Sequence, residues 1–369
     1  MAGIGREEAL AFRDQLRRLL AARAGEAELR RVMETPAGYD PTLWRQLAEL
    51  GLVGLVVEAA HGGTGAGPVA LELAMEEVGA ALLPGPLLGS GVLAAGLVAA
   101  LGDEATAARL LPGIADGSRI AAAAITGPAG SWTEAGVAVE AVPDGGGWTL
   151  SGTASFVLHG QNADLLLVAA RTAEGIAVFE ADPRAAGLVV AALPCFDHSL
   201  RIAEIRFTGA PARRLGGRPG WAAVEAALDL AQVAMAGEQA GAGRRVLEMT
   251  VEYAKTRIQF GRPIGSFQAI KHMAADLLLE AESAISAARH AAEALEGRAV
   301  GAGAAVHLAG FACAEAFATI AATAIQMHGG IAFTWDHPAH LYLRRARADV
   351  QLLGAPAWHR ERYLQALGA

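Results

Sequence analysis

Apolar residues recur at spacings of three and four in three stretches near the start of the chain. These are Ala9–Leu20, Leu43–Leu50 and Val69–Val78, and each predicts an amphipathic helix. Between the last two lies His61-Gly62-Gly63-Thr64-Gly65, which predicts a flexible connector. From about residue 119 the period changes. Val137–Val142 alternates, Trp148–Leu150 follows a Gly145-Gly146-Gly147 turn, and Leu165–Ala169, Ile176–Phe179 and Leu188–Ala192 are short apolar runs. Ile202–Phe207 alternates again. Short runs separated by Gly, Pro and Asp predict a small antiparallel β domain. Helical spacing returns after about residue 222. Ala222–Lys255 reads as one long helix, Phe267–Leu295 as a second with Ser266 at its N-cap, and Val306–Met327 as a third closed by Gly329-Gly330. The pattern predicts three blocks, 1–118, 119–222 and 223–369, in an α+β fold that ends in a helical bundle. Alternating βα units are absent, so a Rossmann sheet is disfavoured.

Composition narrows the function. The chain is 53% hydrophobic and 18% charged, a globular balance on the apolar side. A net charge of −8 and few aromatic residues argue against nucleic-acid binding. Cys195 and Cys313 lie far apart without metal-ligand spacing, which fits core packing in a reduced, cytoplasmic setting. The N-terminal residues carry Arg and Glu where a signal peptide has an apolar core. Leu87–Leu101 is apolar but shorter than the roughly 20 residues a bilayer requires, so no membrane partner is expected. The ten histidines show no i, i+4 pair, so no metal is expected. Gly62–Gly65 lacks the Lys-Ser/Thr ending of a phosphate loop. Arg344-Arg345-Ala346-Arg347 reads as a solvated helix face, with contact to a CoA phosphate as the alternative.

Two segments carry more specific chemistry. One is Tyr253-Ala-Lys-Thr-Arg257-Ile-Gln-Phe260-Gly261-Arg-Pro-Ile-Gly-Ser-Phe267-Gln268, and the other is Gln326-Met-His-Gly329-Gly330-Ile-Ala-Phe333. Together they resemble the acyl-CoA dehydrogenase family. Weaker matches at Leu50–Leu55, Glu77-Val78-Gly79, Thr126–Ser131 and Gly152–Phe156 extend the resemblance over nearly the whole chain. It implies a helical N-terminal domain, a small antiparallel β middle domain and a C-terminal four-helix bundle. It also implies oligomers built from dimers with FAD at the dimer interface, an acyl-CoA substrate, and an electron-transferring flavoprotein as acceptor. The reaction it implies is α,β-dehydrogenation of an acyl-CoA to the 2-enoyl-CoA.

A pyrophosphate needs positive charge or converging N–H groups. By the resemblance Arg257 meets the FAD pyrophosphate, Phe260 packs beside it, and Gln268 lies in the same cofactor-contacting segment. Gln326, Gly329 and Gly330 match positions that reach the FAD of a neighbouring subunit. In the middle block, Thr126 and Ser131 match residues at the flavin edge and the acyl-CoA. The family's Glu within that segment is replaced by Gly127. Its Trp-Ile-Thr cover of the flavin reads Phe156-Val157-Leu158, so Phe156 can stack but Leu158 offers no hydroxyl.

Abstraction of a Cα proton requires a positioned carboxylate. Counted from the family's Arg-Asp-Ala motif, here Arg344-Arg345-Ala346, the usual position of that base is Leu353. The position used by a minority of members falls on Ala231, followed by Gln232. Glu238, Asp349 and Asp336 remain as substitutes, and Glu238 stands out because its helix otherwise reads as apolar. Short members of this kind resemble base-deficient subunits of heteromeric steroid-catabolism enzymes. An active homo-oligomer with a displaced carboxylate and a non-catalytic flavin- or CoA-binding scaffold are the alternatives.

Overall fold

The computed structural model describes residues 3–216 and 220–368. The chain runs through α1 (Arg6–Arg23), α2 (Glu26–Met33), α3 (Pro41–Glu49), α4 (Gly67–Ala80), a π-helical segment Leu87–Ala94, α5 (Ala95–Ala100) and α6 (Glu104–Ala115). Seven strands follow: β1 (Ala121–Ala124), β2 (Val139–Asp144), β3 (Gly147–Leu158), β4 (Leu165–Thr172), β5 (Gly175–Ala181), β6 (Leu188–Leu193) and β7 (Ile202–Arg214). Then come α7 (Gly220–Thr256), a small hairpin of β8 (Ile258–Gln259) and β9 (Arg262–Pro263), α8 (Gln268–Glu296), α9 (Ala302–His328), α10 (Ala339–Asp349) and α11 (Pro356–Ala366). Helix starts follow local chemistry. The Asp40 carboxylate accepts from the N–H groups of Thr42 and Leu43 with Pro41 in the first turn, and Asp103 caps α6 in the same way.

Two compact units each draw on separated stretches of chain. The first comprises mainly Arg30–Gly67 and Pro84–Ala231 and contains the sheet. Its strand order is β1-β4-β2-β3-β7-β5, β6 adds to β7, and β5 also pairs β4, so the sheet curls back on itself. The sheet is mixed: β1 runs parallel to β4, where uniform antiparallel pairing was expected. β1 escaped the hydrophobic pattern because it is four alanines, a helix former held as a strand by burial on both faces. Its first N–H donates to the Ser90 hydroxyl at 3.0 Å. Phe179, Ile205 and Leu150 fill the sheet's core, and removing a ring such as Phe179 costs about 3–5 kcal/mol. The glycine-rich stretch at 61–65 is a packed turn rather than a flexible connector. A side chain at Gly63 would lie 2.1 Å from the Val57 carbonyl, and His61 Nε2 sits 3.0 Å from Glu104.

The second unit comprises Gly5–Leu29, Pro68–Leu83 and the chain from Gln232 onward, so α1 and α4 join the helices of the C-terminal part. Small residues set its spacing. Ala288, Ala291 and Ala292 of α8 share a core with Ala309, Cys313 and Ala316 of α9. α4 crosses α7 almost backbone to backbone. A Cβ at Gly241 would sit 1.9 Å from the Glu76 carbonyl, and one at Gly79 would sit 1.9 Å from the Glu238 carbonyl. The N-cap of α8 is Phe267, without a side-chain bond, because the Ser266 hydroxyl donates to the Pro263 carbonyl instead. The stretch Ala302–Phe333, α9 with the turn after it, is long and apolar enough to cross a membrane by composition. Its most apolar 18-residue window is 56% buried within the protein, as the core helix of a bundle is.

Candidate functional site

In the first unit the structure brings Thr126, Ser131 and Phe156 together. The Thr126 hydroxyl donates to the Ser131 carbonyl at 2.7 Å and closes the 126–131 loop, and the Ser155 N–H donates to the Thr126 carbonyl at 2.8 Å. β3 is irregular between Ala154 and Val157, and Phe156 sits in that irregularity with φ +58°. A bulky residue in the left-handed region is strained, and such strain concentrates where a side chain must be aimed. Gly130 makes room for the ring: a Cβ there would lie 3.2 Å from it. Gly127 has a steric reason as well. A Cβ at that position would come within 2.4 Å of the Ala138 side chain, so the family's Glu does not fit this loop. Leu158 is not beside Phe156. It is buried against Gly89 of the π-helical segment, and a Cβ on Gly89 would touch it at 3.0 Å.

In the second unit Arg257 follows directly on α7, exposed, with no carboxylate within ion-pair distance among the described residues. Next to it β8 and β9 pair through a two-residue turn, Phe260-Gly261, with φ +52° and +76°. Phe260 is 91% exposed, an unusual cost for a phenyl ring in a strained turn. Its ring meets Phe267 edge-on at 6.1 Å, and the Arg262 guanidinium lies 4.1 Å over Phe267. Gln268 is exposed at the start of α8, 3.2 Å from His272. α9 ends at Gly329 with φ 69° and ψ −150°, and Gln326, Gly329 and Gly330 are all exposed. Nothing lies within 4 Å of a Cβ built on either glycine, so the turn is open to close approach by a ligand.

Rings tie these two segments together, a link that spacing along the chain did not reveal. Tyr253 of α7 lies 4.6 Å from His328 at the end of α9, and His328 lies 4.4 Å from His337 before α10. His328 Nδ1 donates to the Ala324 carbonyl at 2.8 Å, and burial pushes its pKa down, so the ring packs as a neutral group. A second histidine contact also appears only in three dimensions. His307 and His359 place their Nδ1 atoms 3.0 Å apart. No cluster of three or more metal-ligating side chains occurs among the described residues.

The expected base positions hold no carboxylate. Leu353 is buried with φ +57°, and Ala231 is fully buried with the buried Gln232 beside it. Of the substitutes, Asp336 is exposed and Asp349 is buried on α10 one turn before Leu353. Glu238 is buried on α7 and forms an ion pair with Arg345 of α10. Arg345 therefore departs from the expectation of a solvated helix face: it is 3% exposed, while Arg344 stacks on Trp335 and only Arg347 is exposed. Arg345 stands where the family motif has Asp, so the buried pair puts the positive member on α10 and the negative one on α7.

Two family profiles match the chain, "Acyl-CoA dehydrogenase, N-terminal domain" over residues 6–118 and "Acyl-CoA dehydrogenase, C-terminal domain" over residues 218–368. The acyl-CoA dehydrogenase IpdE2 of Mycobacterium tuberculosis is 36% identical over 356 residues, covering 95% of this chain and 94% of that protein. The chain belongs to the acyl-CoA dehydrogenase family. IpdE2 of Mycolicibacterium smegmatis is 33% identical, over 95% of this chain and 96% of its own length. Among solved structures, the ChsE4-ChsE5 complex from Mycobacterium tuberculosis is similar at 30% identity and a TM-score of 0.90, over 100% of this chain and 99% of that one. A variant of the Tcur3481-Tcur3483 steroid ACAD is similar at 33% identity and a TM-score of 0.88, over 98% of both chains. Acyl-CoA dehydrogenases bind FAD, and the open Gly329-Gly330 turn with the unpaired Arg257 suits a dinucleotide.

Proposed function

We propose that this acyl-CoA dehydrogenase is the base-deficient subunit of a heteromeric, FAD-dependent enzyme that dehydrogenates a bulky, steroid-like acyl-CoA. The observation that carries this reading is the fate of the carboxylates. Neither Leu353 nor Ala231 can accept a proton, and Arg345 occupies Glu238, which leaves that carboxylate no role as a free acceptor. Arg257, Phe260 and Gln268 would hold the pyrophosphate side of FAD, and Gln326, Gly329 and Gly330 would reach the FAD of the adjoining subunit. Thr126, Ser131 and Phe156 would bound the flavin edge and the thioester. FAD, when bound, supplies the hydride acceptor. The missing carboxylate then comes from a related partner subunit, in keeping with the two-protein make-up of the ChsE4-ChsE5 and Tcur3481-Tcur3483 structures.

The test is a visible spectrum of the chain purified alone, before and after anaerobic addition of acyl-CoAs that include a steroid side-chain thioester. The expected result is flavin that is absent, or present and never bleached, until a partner subunit carrying a carboxylate base is co-expressed. Stoichiometric flavin bleached by substrate in the isolated chain overturns the proposal and directs attention to Asp349.

A further inference from the structure

Arg201 stands one residue before β7, and its guanidinium reaches five backbone carbonyls. Nε donates to Pro36 at 3.4 Å. Nη1 donates to His198 at 2.6 Å and to Leu200 at 2.9 Å. Nη2 donates to Met33 at 2.8 Å and to Thr35 at 2.6 Å. A guanidinium has five N–H donors in one plane, and here each one has a carbonyl. Met33 is the last residue of α2, where the final carbonyls have no partner within the helix. Gly38, with φ +67°, leaves room for the arginine stem: a Cβ there would lie 2.6 Å from Arg201 Cγ. A second side chain grips the same loop, since Asn162 Nδ2 donates to the Ala37 carbonyl at 2.6 Å.

This clasp lies at the end of β3. The pairing of β2 with β3 stops at Gly152. Past the irregularity between Ala154 and Val157, β3 pairs β7 through Val157 with Ala203 and Leu158 with Ile202. The Arg201 carbonyl then accepts the His159 N–H at 2.7 Å, and the chain turns away with His159 at φ +51°. Phe156, at φ +58°, therefore sits between a break in the ladder and a remnant of two pairs. Backbone strain of this kind persists where the surroundings over-determine it. Arg201 supplies such a constraint, because one residue binds the end of β3 through its carbonyl and the 33–36 loop through its side chain.

We propose that Arg201 is a positioning residue: by locking the end of β3 to the 33–37 loop it holds Phe156 in the conformation that faces the flavin. Its bearing on the flavin rests on the proposed function, whereas its hold on β3 does not. Lysine cannot stand in for it. An ammonium offers three donors from a single point, and the five carbonyls lie around a planar fork.

Arg201→Lys and Arg201→Met test this against Phe179→Leu, which weakens the same sheet from its core. In the full chain as purified, amide exchange at His159 relative to Leu150 should rise about tenfold in both Arg201 variants and hold its parent ratio in Phe179→Leu. In the complex with a base-bearing partner subunit, the visible flavin bands and the flavin reduction midpoint should move in both Arg201 variants and stay at the parent values in Phe179→Leu. An unchanged exchange ratio, or parent-like bands and midpoint in flavin-loaded Arg201 variants, overturns the assignment. So does full restoration by Arg201→Lys. A parent complex that takes up no flavin refutes the proposed function instead, and the exchange ratio then decides the clasp alone. If neither Arg201 variant folds, Asn162→Ala, which frees the same loop from one bond, takes their place under the same criteria.

Discussion

Arg345 donates to the Glu238 carboxylate across α10 and α7, with both side chains buried. Breaking such a pair from one side strands a charge out of water, at a cost of about 3–5 kcal/mol. Glu238→Gln and Arg345→Met should each lower the midpoint of urea unfolding substantially. The double variant Glu238→Leu/Arg345→Met should recover part of the loss, because both members of the buried pair are removed together. Additive losses in the double variant would show that the two residues act separately. If the pair is purely structural, the variants that fold should retain whatever flavin the parent retains.

The hairpin beside Arg257 gives a test in which stability and binding move in opposite directions. Phe260 and Gly261 occupy the two central positions of a turn in which both φ values are positive, where Asn-Gly is preferred. Phe260→Asn should raise stability by about 1 kcal/mol, since the ring is exposed and little burial is lost. On the proposed function the same variant should weaken FAD retention, measured as flavin absorbance per chain after gel filtration. A variant that is less stable, or one that keeps its flavin unchanged, contradicts the role given to the ring.

Much of this was legible in the sequence, and the omissions have physical causes. The long helices α7, α8 and α9 declared themselves through periodicity, and β2 and β7 through alternation. β1 did not, because four alanines carry no period and favour the wrong state. The segment 257–268 and the glycines at 329 and 330 were recognisable as motifs, but the stack of Tyr253, His328 and His337 joining them depends on tertiary packing. The arginines at 344–347 looked like a solvated run, since charge is usually exposed. The position of Glu238, 107 residues earlier in the chain, gives Arg345 a reason to be inside that the run itself does not show.

Gly127 marks a place where the family pattern and the local packing conflict. Restoring the family residue with Gly127→Glu should destabilise the protein by about 1–3 kcal/mol, because the new Cβ would collide with Ala138. Adding Ala138→Gly should return part of that stability. Thermal melts of the three variants check this. An unperturbed Gly127→Glu would mean that the 126–138 loop opens more easily than its hydrogen bonds from Thr126 and Gly127 suggest.

The pair of His307 and His359 sets an acid limit. Their Nδ1 atoms share one proton at 3.0 Å, and the His359 ring fills the space beside Gly310, where a Cβ would come within 2.7 Å of it. Burial, followed by the charge of His307, pushes the His359 pKa down to about 3, and burial followed by Arg362 pushes His307 down to about 4. An unfolded histidine near 6.5 takes up its proton earlier than these do, so the folded state binds fewer protons across that window. The stability they contribute is present above pH 6.5 and is lost as pH falls toward the folded values, at about 1.4 kcal/mol per pH unit for a fully buried neutral ring. Urea unfolding between pH 7 and 4.5 should therefore show a steep loss in the parent protein. His359→Gln should be less stable at pH 7, since packing against Gly310 and the bond to His307 are disturbed, yet its slope with pH should be shallower by close to one proton. An identical slope in the variant would place the acid sensitivity in other groups and leave the histidine pair as a packing feature alone.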